Sequence, residues 1–553
     1  MALFNELRRR NVFKVALLYA LASLLVVWLV DSVQARFALP VWTDTFAYFI
    51  LAVAFPVALW LAWTYEITPV GIKKADDVDQ TQSIVYKTGQ KLNAAVAVLL
   101  VLGVLAMLGQ GLLPTFEFLV PDPPEGEAPI SARTPPEIRS LTLGNGLEII
   151  VWPDHDIPNV AMYNFVRAGG RNEYPGITGV SHFFEHMMFL GTENLEPGEF
   201  DRTMEAAGGR NNAYTNQDVT VYLDWFPRSA LETIFELEAD RFENLNIVPE
   251  VFESERQVVF SERRSSIDNN NAWKLLEQVQ ATAFVAHPYQ FPVVGWPSDI
   301  GSWTQDDLVN FYRTYYAPNN RTIVVTGDVT TEEIFALADE YFAPIPAQPS
   351  PPPVRTVEPI QAGERRIAVG APAQTPLLQA AFHSARAADP DALTLSLLLR
   401  ILTDGDSSRL HRALVEDAGL ALSVDSYLHE GFDPGLTLFL LTLPPGGDVD
   451  AAERRLLAEL ERVINDGVSR EEVAKARNKL LADFWRELST ISGKAGALGR
   501  YQVFHGNYEK LFLQPELVEA ITTEDLRAVA TEVFRVTNMT VGVLRDPAAG
   551  AAR

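Results

Sequence analysis

His182-Phe183-Phe184-Glu185-His186 places two of the chain's eight histidines four residues apart, with a carboxylate between them. Positions i and i+4 of a helix stack on one face, so both imidazoles reach one metal ion, and Glu185 at i+3 projects beside them. The order is HxxEH, the inverted form of the zinc-peptidase motif. Neutral imidazoles hold a zinc ion without cancelling its charge, while a nearby carboxylate takes the proton of a water that the ion acidifies. Five residues alone also fit a core helix carrying two satisfied histidines. A zinc site therefore needs a third ligand.

Residues 248–264, VPEVFESERQVVFSERR, read as an amphipathic helix with Phe252, Val258, Val259 and Phe260 as its apolar positions. Glu255 and Glu262 are seven apart, two helical turns, so both carboxylates face one side and one can ligate while the other supports it. Surface helices are rich in glutamate, so this pair by itself fits a solvated face equally well.

The motif has flanks. Leu141-Thr-Leu-Gly-Asn-Gly-Leu147, Gly169-Gly-Arg-Asn-Glu173, the continuation HFFEHMMFLGT from His182, Gly208-Gly-Arg-Asn-Asn-Ala-Tyr-Thr215, His287-Pro-Tyr289, Tyr316-Ala-Pro-Asn-Asn320 and Val325-Thr-Gly-Asp328 follow one another along the chain. In this order they resemble the zinc metallopeptidases of the pitrilysin, insulysin and mitochondrial processing peptidase type, over about residues 138 to 545. The resemblance implies that His182, His186 and Glu262 hold one zinc ion per chain. It also implies that Glu185 is the catalytic base, with Glu255 as its supporting partner in the E(x)6E pair. The expected fold is α+β, two similar domains of sheet covered by helices, with zinc only in the first.

The second half fits that expectation, for it has no HxxEH. Its segment from Ser407 to Val424 resembles the family's second-domain signature, with Leu422 where the family usually has tyrosine. His411, His429 and His505 have no spaced partner and read as surface or packing residues.

The chain of 553 residues has no cysteine, which removes disulfides, thiolate ligands and a cysteine nucleophile, and leaves redox compartment unreadable. A net charge of −26 argues against a nucleic-acid partner, which would need a basic face. The charge is uneven. Residues 1–113 carry 9 Lys+Arg and 7 Asp+Glu, net +2, leaving 36 against 64, net −28, beyond them.

That head holds three apolar runs, about 12–30, 45–65 and 94–113, each near the roughly 20 residues that a bilayer-spanning helix needs. A cleaved signal peptide is the alternative for the first, after Arg8-Arg9-Arg10, but no small-residue cleavage site follows its apolar core. Arg8, Arg9, Arg10 and Lys14 flank the first run, and Lys73, Lys74, Lys87 and Lys91 lie between the second and third. Only Arg36 lies between the first two. The bias puts the amino terminus and the 66–92 loop in the cytoplasm, and three spans then carry the body across the lipid bilayer, to the periplasm in a Gram-negative cell. Segments 4–13 and 65–72 also resemble a short bacterial membrane module found before varied soluble domains. The expected organisation is thus an anchor over 1–113, a Pro-rich linker over 114–137, a zinc-binding domain over 138–343, a second Pro-rich linker over 344–355 and a zinc-free domain over 356–548.

Alternation of Val219, Val221 and Leu223 marks a strand within residues 212–224. The resemblance assigns Asn212 and Ala213 to backbone pairing with an extended peptide; an ordinary core strand fits the same residues. The reading is a membrane-anchored zinc endopeptidase acting on peptides or unfolded segments, paired with itself or with a motif-less relative. The alternative is a non-catalytic scaffold or assembly subunit of the same family.

Overall fold

The computed structural model describes residues 138–547, with positions 23, 55, 65–68 and 71–74. The chain divides into units 1–129 and 130–553. In the first unit, β1 (Tyr65–Thr68) and β2 (Gly71–Lys74) form an antiparallel hairpin. The three apolar runs otherwise lie outside the described residues, as does the first Pro-rich linker. Among the described residues no helix is long and apolar enough to cross a membrane.

The second unit holds two sheets. In chain order its first sheet uses β3 (Arg139–Thr142), β4 (Glu148–Pro153), β5 (Asn159–Val166), β6 (Arg210–Thr215), β7 (Thr220–Pro227) and β8 (Arg321–Gly327). Its helices include α1 (Val180–Met187), α2 (Leu231–Glu243), α3 (Pro249–Arg263), α4 (Asn271–Ala283) and α5 (Thr331–Tyr341). Residues 346–364, spanning the second Pro-rich stretch, carry no regular element. The second sheet follows as β9 (Arg365–Gly370), β10 (Leu377–Ser384), β11 (Ser423–Leu428), β12 (Gly435–Thr442) and β13 (Met539–Arg545). Its helices include α6 (Pro390–Thr403), α7 (Val449–Asp466), α8 (Arg470–Glu487), α9 (Ile491–His505) and α10 (Thr523–Val533).

The strand orders are β3-β4-β8-β5-β7-β6 and β11-β12-β10-β13-β9. Read from β6 and from β11, both sheets run through three antiparallel pairs and then a parallel one, β8 with β4 and β13 with β9, after which the first sheet alone adds β3 antiparallel to β4. The expected two similar α+β domains are the observed architecture.

Both faces of the central strands are buried, and residue parity decides which core a side chain joins. In the first sheet Ile149, Val151, Val160, Met162, Ile323 and Val325 pack under α2 and α5. Ile150, Trp152, Ala161 and Val324 point the other way, onto Ile491, Ala495, Leu498 and Val503 of α9, a helix of the second half. The exchange is mutual. Leu275, Val279 and Ala283 of α4, from the first half, cover Ala381, Leu436, Leu438 and Leu544 of the second sheet. With each fully buried aliphatic contributing roughly 1.5–3 kcal/mol, each half stabilises one face of the other's sheet. Gly499 permits the approach of α9, because a Cβ there would enter the Phe165 ring.

Candidate active site

Glycine and glutamate build the start of α1. Gly179 caps the helix in the left-handed region, φ 89°, and its missing Cβ admits Val294 O and Gly295. Glu173, buried, accepts N–H bonds from Gly179 and Ser181 at 2.7 Å each, so its two oxygens satisfy otherwise unpaired donors at the helix N-terminus. Burial pushes its carboxyl up to about 8 against those two bonds. From below, Phe184 packs against Phe311, Tyr312 and Tyr316, and Tyr222 donates its hydroxyl to Phe184 O at 3.2 Å. His182, Glu185 and His186 are thereby held on a helix with little freedom to tilt.

Pro249 starts α3, where its missing N–H costs nothing. Phe252 and Val259 are buried, whereas Val258, expected on the apolar face, is 47% exposed because the helical period turns it away. Near the far end Arg263 is buried against both oxygens of Glu277 at 2.8 and 3.1 Å and donates to Gly295 O at 2.8 Å. The same Gly295 abuts Gly179, so the end of α3 and the start of α1 share one backbone contact.

The two helices bring three expected residues together. One ligand atom from each of His182, His186 and Glu262 lies within 4.8 Å of the others. His182 Nε2 is 3.6 Å from Glu262 Oε1, and His186 Nε2 is 3.2 Å from Glu262 Oε2. The imidazoles meet edge to face with centroids 4.8 Å apart. His186 Nδ1 donates to Glu255 Oε1 at 2.7 Å, since a carboxylate only accepts, which turns the Nε2 lone pair towards Glu262.

This donor set fits zinc. Two imidazole nitrogens and a carboxylate converge, and Glu262 Oε2 is buried without a hydrogen-bond partner. The electrostatics ask for a cation: burial depresses His186, yet bonds to Glu255 and Glu262 outweigh it and raise its pKa to about 9. Glu262 is held far below the usual carboxylate range by the His182 and His186 imidazoles that face it.

The stretch 212–224, read as one strand, is a hairpin of β6 and β7, joined by a turn in which Asn216 Oδ1 accepts the N–H groups of Asp218 and Val219. Asn212 and Ala213 lie in β6, which has β7 on one side and no strand on the other among the described residues. Ala213 packs against the α1 cluster, so the open edge runs beside the metal-fitting residues. Thr215, at the end of β6, donates to Glu185 Oε2 at 2.6 Å. Sequence reading placed Glu173 and Thr215 in segments flanking the motif but gave neither a role, because their contacts with α1 come from tertiary packing.

The profile "Insulinase (Peptidase family M16)" matches residues 152–295, and "Peptidase M16 inactive domain" matches residues 302–480. Zinc protease PqqE of Helicobacter pylori is 31% identical over 422 residues, covering 74% of this chain and 93% of that protein. The chain belongs to peptidase family M16. A probable mitochondrial-processing peptidase subunit beta of Schizosaccharomyces pombe is 27% identical, over 72% of this chain and 89% of that one. The crystal structure of a protease from Helicobacter pylori superposes with TM-score 0.72 at 30% identity, covering 74% of this chain and 99% of that one. At 19% identity the fold also matches the periplasmic protease PqqL from Escherichia coli. The match has TM-score 0.61 over 75% of this chain but only 48% of that chain, whose solved first half is covered to 93%.

Proposed function

We propose that this M16 chain is a zinc-dependent endopeptidase, held at a membrane, that cuts peptides or unfolded protein segments on the far side from the cytoplasm. The carrying observation is the convergence of His182, His186 and Glu262 with Glu185 alongside, next to an open strand edge. His182, His186 and Glu262 would hold the ion. Zinc, when bound there, supplies Lewis acidity towards the scissile carbonyl and towards water. Glu255 keeps the His186 ring in its ligating orientation. An extended peptide pairs its backbone with β6 at Asn212 and Ala213, which lays the chain across the site nearly blind to its side chains. Glu185 takes a proton from the attacking water and returns it to the leaving amine.

The anchoring part of the reading rests on the three apolar runs and the charge contrast between residues 1–113 and the acidic remainder. Pairing with a second copy or a motif-less relative is supported by the match to the first half of a chain about twice as long.

The test uses the purified full-length protein. It should hold about one zinc per chain and cleave an unstructured peptide, with chelator and Glu185→Gln each stopping cleavage. Loaded protein that cuts nothing, alone or with a related chain added, would favour the scaffold role. Digestion of the acidic body by protease added to the cytoplasmic face would overturn the membrane orientation.

A further inference from the structure

Glu185 is the one proposed catalytic group with no ligand bond to fix it, and a terminal carboxylate torsion is soft. Thr215 Oγ1 lies 2.6 Å from Glu185 Oε2, and only the hydroxyl can donate in that pair. Thr215 Oγ1 is also 3.2 Å from Thr220 Oγ1, its cross-strand partner in register, and Thr220 Oγ1 is 3.0 Å from the carbonyl of Ala168. Each hydroxyl has one proton. That of Thr215 is committed to Glu185, so Thr220 divides its own between Thr215 Oγ1 and Ala168 O. Thr220 is fully buried at the start of β7, the strand that also carries Tyr222, whose hydroxyl is 3.3 Å from that of Tyr316. The chain of hydroxyls ends on the backbone carbonyl of Ala168. Glu185 Oε1, by contrast, makes no hydrogen bond among the described residues.

The geometry points to Thr215 as a positioning residue for Glu185: its hydroxyl pins Oε2 and leaves Oε1 as the oxygen that accepts and returns the proton. This rests on the peptidase reading and deepens it, since the strand that would receive the peptide also aims the base. The hydrogen bonds of the Thr215 side chain go to Glu185 and Thr220 and not to His182, His186 or Glu262, so Glu185 is the group of the proposed machinery that it holds directly.

The experiment compares Thr215→Val, which keeps the shape and removes the donor, with Thr215→Ser, which keeps the donor. For Val, kcat on an unstructured peptide should fall about 10- to 100-fold, the scale set by a small misplacement of a catalytic group. KM should stay within about twofold, because only a transition-state interaction is lost. Zinc per chain and melting temperature should match the parent. Ser should retain kcat within about threefold. In a Glu185→Gln background, adding Thr215→Val should leave peptide affinity, read by fluorescence anisotropy, unchanged.

Parental kcat in the Val variant overturns the inference, as does an equal loss in the Ser variant, which would assign the effect to the side chain's packing. Loss of zinc or a lowered melting temperature in the Val variant also overturns it, making Thr215 structural. A parent that cuts no peptide removes the peptidase reading and this inference together; a parent and Val variant that cut alike remove only the inference.

Discussion

Glu255 carries its effect through one hydrogen bond. By accepting from His186 Nδ1 at 2.7 Å it fixes both the tautomer and the ring plane of the second histidine. Glu255→Ala should therefore weaken zinc affinity about 10- to 100-fold, the usual cost of losing such a partner, while the loaded site keeps its three ligands. Competition against a chromogenic chelator measures this, and an unchanged dissociation constant would refute it. At this scale the sequence is informative only where spacing is local. His182, Glu185 and His186 share a helix face, so five consecutive residues display their geometry. Glu262 is 76 positions beyond His186, and only the family resemblance ties it to them. Thr215 could not be found, because a strand-end hydroxyl meets a helix carboxylate through tertiary packing alone.

The helix that bears the motif is short, eight residues, and a helix of that length does not persist in water without tertiary support. Glu173 gives it two buried acceptor oxygens against two orphan N–H groups, and Thr178 and Asp299 secure the loop before it through a 2.7 Å bond. Glu173→Ala leaves those N–H groups buried and unpaired, at a cost of about 1–3 kcal/mol. The expected readout is a lower melting temperature together with weaker zinc retention, since the first turn of α1 presents His182. An unaltered melting curve would show that the aromatic bed beneath Phe184 suffices. Element by element, the sequence exposes periodicity but not pairing. Val219, Val221 and Leu223 alternate because β7 has two different faces, yet nothing in residues 210–215 announces a separate edge strand, whose polar Arg210, Asn211 and Asn212 lack an apolar stripe.

For the whole molecule, the least legible feature was the exchange of α4 and α9 between the halves. A helix apolar on one face gives no sign of whose sheet it covers, and the resemblance implied two similar domains without saying that each closes the other. Charged contacts reinforce that exchange. Asp154, just past β4, pairs with Lys494 of α9. Asp433, in the β11–β12 loop, pairs with Arg171 and with His287 at 3.1 Å, while Asp218 meets His429 at 3.0 Å and the Tyr289 hydroxyl at 2.6 Å. Burial tends to raise Asp154 and Asp433, but their partners, Lys494 for the one and His287 with Arg171 for the other, draw both below the ordinary value of 3.8. A carboxyl with a depressed folded value contributes stability that is whole above its unfolded value and is lost as pH falls through the folded one. The contacts between the halves should hold at neutral pH and weaken below about pH 4, ahead of the apolar cores, which carry no such titration. Hydrogen exchange followed from neutral pH to about pH 3 should therefore show α9 and the 429–433 loop losing protection before the central strands β5 and β10. Asp433→Asn should bring part of that loss to neutral pH. Simultaneous loss at all of these segments would mean that the halves unfold as one and that the buried apolar faces of α4 and α9, not the charges, hold them together.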